Sequence, residues 1–210
     1  DIGPVRVRNL LSRFESAAVV LSASKGDLML VDKVGVKAAD NIVRWRELVD
    51  VVAELERIKK FGAHIITSED DTYPSLLREI YDPPLVLYVR GELKPEDAHA
   101  VAMVGTRQST LYGRQTAERL ARHLAASGVT VVSGGARGID SAAHQGALQS
   151  DGRTIAVLGT GLDIVYPSEN IKLYQRIAEQ GAVITQFPFG RKGDKQSFPI
   201  RNRIVAGMTQ

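Results

Sequence analysis

The sequence predicts an α/β fold, a doubly wound and mostly parallel sheet preceded by a small all-helical domain. Three observations carry that expectation. Four apolar runs, Val101–Val104, Val129–Val132, Ile155–Leu158 and Ala182–Thr185, recur at intervals of roughly 25–28 residues with a helical pattern between them, the βαβ rhythm. The runs are continuous rather than alternating, as suits parallel strands covered on both faces. Residues 1–46, by contrast, hold only short helical pieces.

In chain order, Val5, Leu10, Leu11 and Phe14 share one helical face, and further pieces follow at Ala17–Leu21, Leu28–Val31 and Ala38–Trp45. The stretch LVDKVGVKAADNIVRW (Leu30–Trp45) resembles a helix-hairpin-helix, in which a glycine turn aims backbone N–H groups at a nucleic-acid phosphate. Lys33 stands where the first glycine of such hairpins is usual and only Gly35 remains, so packing or partner contact is the favoured role. Gly3-Pro4-Val5-Arg6 offers a partial second copy. An amphipathic helix spans Glu47–Phe61 (Val51, Val52, Leu55, Ile58) and is closed by Gly62. Ala63–Thr67 reads as a strand, Asp71–Asp82 as a turn at Pro74 with a short helical piece, and Leu85–Val89 as a strand after Pro83-Pro84. Helices then fill Tyr112–Ser127, Asp140–Gln149 and Ser168–Gln180, the first and last ended by Gly128 and Gly181. The expected domains are 1–46, helical, and 47–210, an extended Rossmann-like sheet. The chain opens on Asp1 and stops at Gln210, just after the apolar piece Ile204–Met208, so the natural start and the remaining strands are expected to lie outside it.

Hydrophobic residues are 44% and charged residues 24%, the composition of a soluble globular protein. Cysteine is absent, which excludes disulfides, thiolate metal sites and a cysteine nucleophile, and fits a reducing cytosol. No apolar run approaches the ~20 residues of a membrane span, and no charged-then-apolar leader opens the chain, so no membrane partner is expected. Lys plus Arg number 27 against 24 for Asp plus Glu, a net charge of +3. Arg191, Lys192, Lys195, Arg201 and Arg203 cluster near the end, opposed only by Asp194; such a run is more often a solvated surface than a site.

In a sheet of this kind ligands bind outside the carboxyl ends of the strands. The loops there read Gly105-Thr106-Arg107, Ser133-Gly134-Gly135-Ala136-Arg137-Gly138, Gly159-Thr160-Gly161 and Gln186-Phe187-Pro188-Phe189-Gly190. Glycines permit close backbone approach to an anion. A dinucleotide does not fit: the first loop lacks G-x-G-x-x-G, and Ser133 stands where a ribose-binding acid belongs. No G-x-x-x-x-G-K-[ST] and no G-x-S-x-G occurs. Asp140 and His144 sit one helical turn apart, but a helix-start role for the acid outweighs acid–base catalysis. His64, His99 and His123 lack metal-ligand spacing, so no metal and no cofactor are expected. What remains is a rim rich in arginine (Arg107, Arg137, Arg201, Arg203) and short of acids, with Phe187, Phe189 and Phe198 beside it. Guanidinium groups suit phosphate, and exposed aromatics suit unstacked bases, although at least one phenylalanine is expected in the core. Single-stranded nucleic acid is favoured over a lone nucleotide.

VAMVGTRQSTLYG (Val101–Gly113), VVSGGARGIDSAAHQGAL (Val131–Leu148), TIAVLGTGLDIVYPSEN (Thr154–Asn170) and FPIRNRIVAGM (Phe198–Met208) together resemble the DNA-processing protein A (DprA/Smf) family. DTYPSLLREIYDPPLVLYVRGEL (Asp71–Leu93) is similar to that family's entry into its extended Rossmann domain. The resemblance implies a cytoplasmic, non-enzymatic protein without cofactor. It would bind single-stranded DNA during natural transformation, protect it, load a RecA-type recombinase onto it, and form a homodimer. It makes Arg107 the leading phosphate contact; Ser133, Gly134, Gly135 and Gly138 the cradle; and Arg201, Asn202 and Arg203 its lining. Gly105, Thr106, Arg137 and Gly159 belong to the same loops. Family members often carry a basic residue after the YP of the third motif; this chain has Ser168 there and Lys172 four positions on. The alternative is a nucleotide phosphoribohydrolase of the lysine-decarboxylase-like (LOG) group, whose P-G-G-x-G-T turn is not found here.

Overall fold

A computed structural model describes residues 2–210, and its internal contacts separate two units, Asp1–Glu56 and Arg57–Gln210. The division falls within a helix, later than the expected 46/47 boundary. The first unit carries α1 (Pro4–Phe14), α2 (Ala17–Ser22), α3 (Lys25–Met29), α4 (Val36–Val43) and α5 (Trp45–Leu48) around a core of Leu10, Val20, Leu28, Val31, Val34, Ala39 and Ile42. Pro4 opens α1, where a missing N–H costs nothing, and the Ser16 and Ser24 hydroxyls cap α2 and α3. Between α3 and α4, Lys33 takes the left-handed conformation (φ 65°) that a glycine would take freely. Arg6 Nε and Asn9 Nδ2 hold that turn from α1, donating to the carbonyls of Lys33 (2.7 Å) and Asp32 (3.1 Å). Helix α6 spans Val51–Lys60.

The second unit runs β1 (Ala63–Thr67), α7 (Ser75–Arg78), β2 (Val86–Gly91), β3 (Ala100–Ala102), α8 (Leu111–Ala126), β4 (Thr130–Ser133), α9 (Ile139–Gln149), β5 (Thr154–Val157), α10 (Ile171–Gln180), β6 (Ala182–Thr185) and α11 (Ser197–Gly207). Its six strands lie in the order β1-β2-β6-β5-β4-β3. The pairs β3–β4, β4–β5 and β5–β6 are parallel; β1–β2 and β2–β6 are antiparallel. Strand alternation divides the apolar side chains. Val132, Ile155, Val157 and Ile184 pack under α7 and α11 with Leu77, Ile204 and Val205. Ala156, Leu158 and Val183 face α9 and α10, and Val131 faces α8 and α9. Because β3 to β6 are laid down stepwise in one direction, right-handed crossovers put α8, α9 and α10 on one face. After β6 the winding reverses: α11 crosses the other face, and the Gln210 N–H reaches the Ala100 carbonyl (3.2 Å) at the edge of β3 away from β4.

Helix α11 lies where the sequence shows a basic, proline-containing loop. Pro199 is its third residue, inside the first turn, where backbone N–H groups have no intrahelical partner. Asp194 starts the helix by accepting from the N–H groups of Gln196 (2.9 Å) and Ser197 (2.7 Å). Those bonds hold its carboxyl below the ordinary range. Part of the charge run thus serves the turn that leads into the helix. No helix among the described residues is long and apolar enough to cross a membrane.

Candidate nucleic-acid interface

The loops after β3, β4 and β5 meet at the carboxyl ends of the parallel strands, with α11 beside them. The first two of these loops, the start of α9 and α11 enclose a cavity of about 440 Å³ lined by Ala102, Val104, Gly105, Arg107, Gly134, Ala136, Asp140, Phe198, Arg201, Asn202, Val205 and Ala206. A cavity of equal volume lies at the opposite end of the strands, lined by residues 71–76, 93–95, 97, 98 and 208; Lys94 is its one cationic lining residue.

The floor of the first cavity is a buried pair of opposite charges. Asp140, in the first turn of α9, accepts from the N–H groups of Gly105 and Ala136, each at 3.3 Å. Arg201 donates through Nη1 to the carbonyls of Gly134 and Val157, and through Nε to Asn202 Oδ1 (3.1 Å). Each is only 5% exposed. Burial pulls the Arg201 guanidinium down from its ordinary value, and the Asp140 carboxylate opposes that shift.

The lip is different. Arg107 is exposed, with its guanidinium carbon 5.2 Å from the Phe198 ring centroid. Phe198 in turn packs on Tyr166, ring to ring at 5.5 Å. Gly159 makes room for this row, since a Cβ there would stand 2.7 Å from the Phe198 ring. A guanidinium over an aromatic face is held by the ring quadrupole while its N–H groups stay available.

Of the residues the sequence nominated, the fold brings Gly105, Arg107, Gly134, Arg201 and Asn202 to this cavity. Thr106 is exposed beside Arg107, its hydroxyl accepting from the Gln108 N–H (3.2 Å). Ser133 is sealed: its hydroxyl donates to the Met103 carbonyl (2.6 Å). The Gly135 carbonyl accepts from Asn170 Nδ2 (2.9 Å) and from the Tyr174 hydroxyl (2.8 Å). Arg137 is exposed but bridged to Glu169, whose carboxyl that bond pulls down to about 2. Lys172 is exposed on α10, outside the cavity lining. Arg203 does not line the same pocket: it pairs with Asp82 (3.4 Å) and Gln186. The rim is therefore less short of acids than expected: Glu169 and Asp82 pair with Arg137 and Arg203, and the buried Asp140 carboxylate acts electrostatically on Arg201. Phe189 packs, half-buried, against the core, edge-on to Phe61 at 5.4 Å. His144 is buried beside Thr154 (Nδ1 to Oγ1, 2.7 Å) and is not part of the lining. Burial first, then the nearby Arg201 cation, pushes it down to about 3, so it is neutral near pH 7. Among the described residues no group of three or more His, Cys, Asp or Glu could hold a metal ion. The sequence reading missed Tyr166, whose signal was its place in the loop after β5.

Residues 64–210 match the family model of DNA recombination-mediator protein A. The chain belongs to that family. It is 38% identical over 213 aligned positions to Protein Smf of Synechocystis, covering 100% of this chain and 54% of that protein. It is 31% identical to DNA processing protein DprA of Bacillus subtilis, covering 96% and 69%. The X-ray structure of DprA from Streptococcus pneumoniae superposes with a TM-score of 0.82 at 33% identity, over 99% of this chain and 71% of that one. DprA from Helicobacter pylori, whose structure describes a single-stranded DNA binding mode, superposes at 0.63 with 36% identity, over 70% and 66%. This member of the DprA/Smf family spans about half the length of several curated relatives that it matches.

Proposed function

We propose that this chain binds single-stranded DNA in the cytoplasm without catalytic turnover. In the whole protein it would protect the strand and help load a RecA-type recombinase, as part of a homodimer built on an extended Rossmann-like domain. The observation that carries the reading is the exposed Arg107 guanidinium over the Phe198 ring, beside a cavity at the carboxyl ends of the parallel strands. Arg107 and Asn202 are the groups offered to the backbone, and the Phe198–Tyr166 row is the platform for bases. Family membership and the DNA-binding relative support the same reading.

Single strands are expected to bind more tightly than duplex, because stacking needs bases free of partners. Each phosphate neutralised should contribute about −0.7 to the slope of log K against log salt. Fluorescence anisotropy with single- and double-stranded oligonucleotides over a salt series measures both. Equal affinity for the two forms would remove the stacking half of the reading.

Glu169→Gln tests the rim. The carboxyl pulled down to about 2 is ionised throughout pH 5–8, so its charge stands beside Arg137 over that whole window. Removing the charge frees Arg137 and deletes a repulsive anion, so single-strand affinity should rise roughly two- to fivefold. Weaker binding in the same titration would show that Glu169 positions Arg137 rather than competing with DNA for it.

A further inference from the structure

We infer that Arg201 is a positioning residue: it and Asp140, two buried opposite charges each bonded to the loops of the cradle, set those loops from beneath, while the DNA backbone is met by the groups above. The inference rests on the single-stranded DNA reading for its function and on the geometry alone for its structural half.

A guanidinium offers five N–H donors in a fixed fork. In Arg201, Nη1 is shared between the Gly134 and Val157 carbonyls and Nε is taken by Asn202. Gly134 admits this only because it lacks a side chain; a Cβ would stand 2.3 Å from Nη1. Both Asp140 oxygens are engaged with backbone, one on the loop after β3 and one on the loop after β4. The two side chains thus tie together the ends of β3, β4 and β5 and the helix α11. Burial keeps both from a threaded strand. The Asp140 carboxylate also offsets the Arg201 charge, which leaves Arg107 as the cation that the cavity presents. Arg201 further orients Asn202: with Oδ1 accepting from Nε, the Asn202 amide NH2 remains a donor on an exposed residue.

A phosphate contact and a positioning residue leave different signatures. Arg201→Lys keeps the charge but loses the fork that reaches two carbonyls and Asn202 together. Anisotropy titrations with an oligothymidine probe over a salt series should show affinity down roughly tenfold, an unchanged salt slope and full binding stoichiometry. Arg107→Ala, in the same assay, should lower the slope by about 0.7. A merely structural role would reduce the binding-competent fraction instead of the affinity of the folded protein. The double variant Asp140→Asn with Arg201→Gln keeps the net charge and leaves no uncompensated buried carboxylate, and should recover part of the affinity lost in Arg201→Gln alone. In the DNA-free protein, Arg201→Lys should speed amide exchange at Gly105 and Ala136. Arg201→Lys binding within about twofold of the parent would overturn the inference. So would a slope lowered by about 0.7 in Arg201→Gln with amide exchange unchanged. If the parent protein fails to bind the probe, the functional reading falls, and the exchange rates alone decide the structural half.

Discussion

Arg107→Glu should weaken single-strand binding about 100-fold or more at moderate salt and leave the fold intact. A charge-assisted hydrogen bond to phosphate contributes about 1.5–3 kcal/mol, and the reversed charge adds repulsion where attraction stood. Arg107 is exposed, and its stacking on Phe198 is worth about 0.5–1 kcal/mol, so the melting temperature should move little. Arg107→Lys separates the two parts of the contact. A lysine restores the charge but not the planar fork of donors, so it should recover only part of the loss. The pattern is read from titration and thermal melting of the three proteins together. Undiminished binding by Arg107→Glu would move the site to another surface.

The sheet was legible because its signals are local. β1 matches the expected Ala63–Thr67 run, and β4, β5 and β6 lie within one residue of theirs, since apolar, largely β-branched runs bounded by glycine have little else to become. β3 is shorter than its run: Val104 lies exposed in the loop that leads to Arg107. Helix α11 was hidden by Pro199 and by a charge run whose acid, Asp194, accepts from the N–H groups that lead into it. In the candidate site, Arg107 could be found from its position after a strand. The fate of the other arginines could not. Arg201 with the Gly134 and Val157 carbonyls, Arg137 with Glu169 and Arg203 with Asp82 join residues far apart in the chain, and only the folded sheet decides which guanidinium is spent internally. Counting basic residues in a loop overstates what a polyanion meets, because pairing removes cations one at a time.

Gly138→Ala should damage both stability and binding, for a reason that lies in the backbone. Gly138 stands before α9 with φ 81° and ψ −121°, a conformation that costs an L-residue about 1–3 kcal/mol. A Cβ there would also stand 2.3 Å from the Thr106 carbonyl oxygen and 3.0 Å from that of Arg107. Neither neighbour is a flexible side-chain end, so the loop carrying Arg107 must shift, at a further cost of about 1–3 kcal/mol. For a domain of this size each kcal/mol lowers the melting temperature by about 2–4 °C, so a fall of about 10 °C is expected. Gly190→Ala isolates the two causes. Gly190 also has positive φ (77°), but its Cβ would meet nothing within 4 Å. It should therefore show only the conformational part, with DNA binding unchanged. Equal effects of the two substitutions on melting and on affinity would mean that the close approach of Gly138 to the Arg107 loop does not hold the arginine in place.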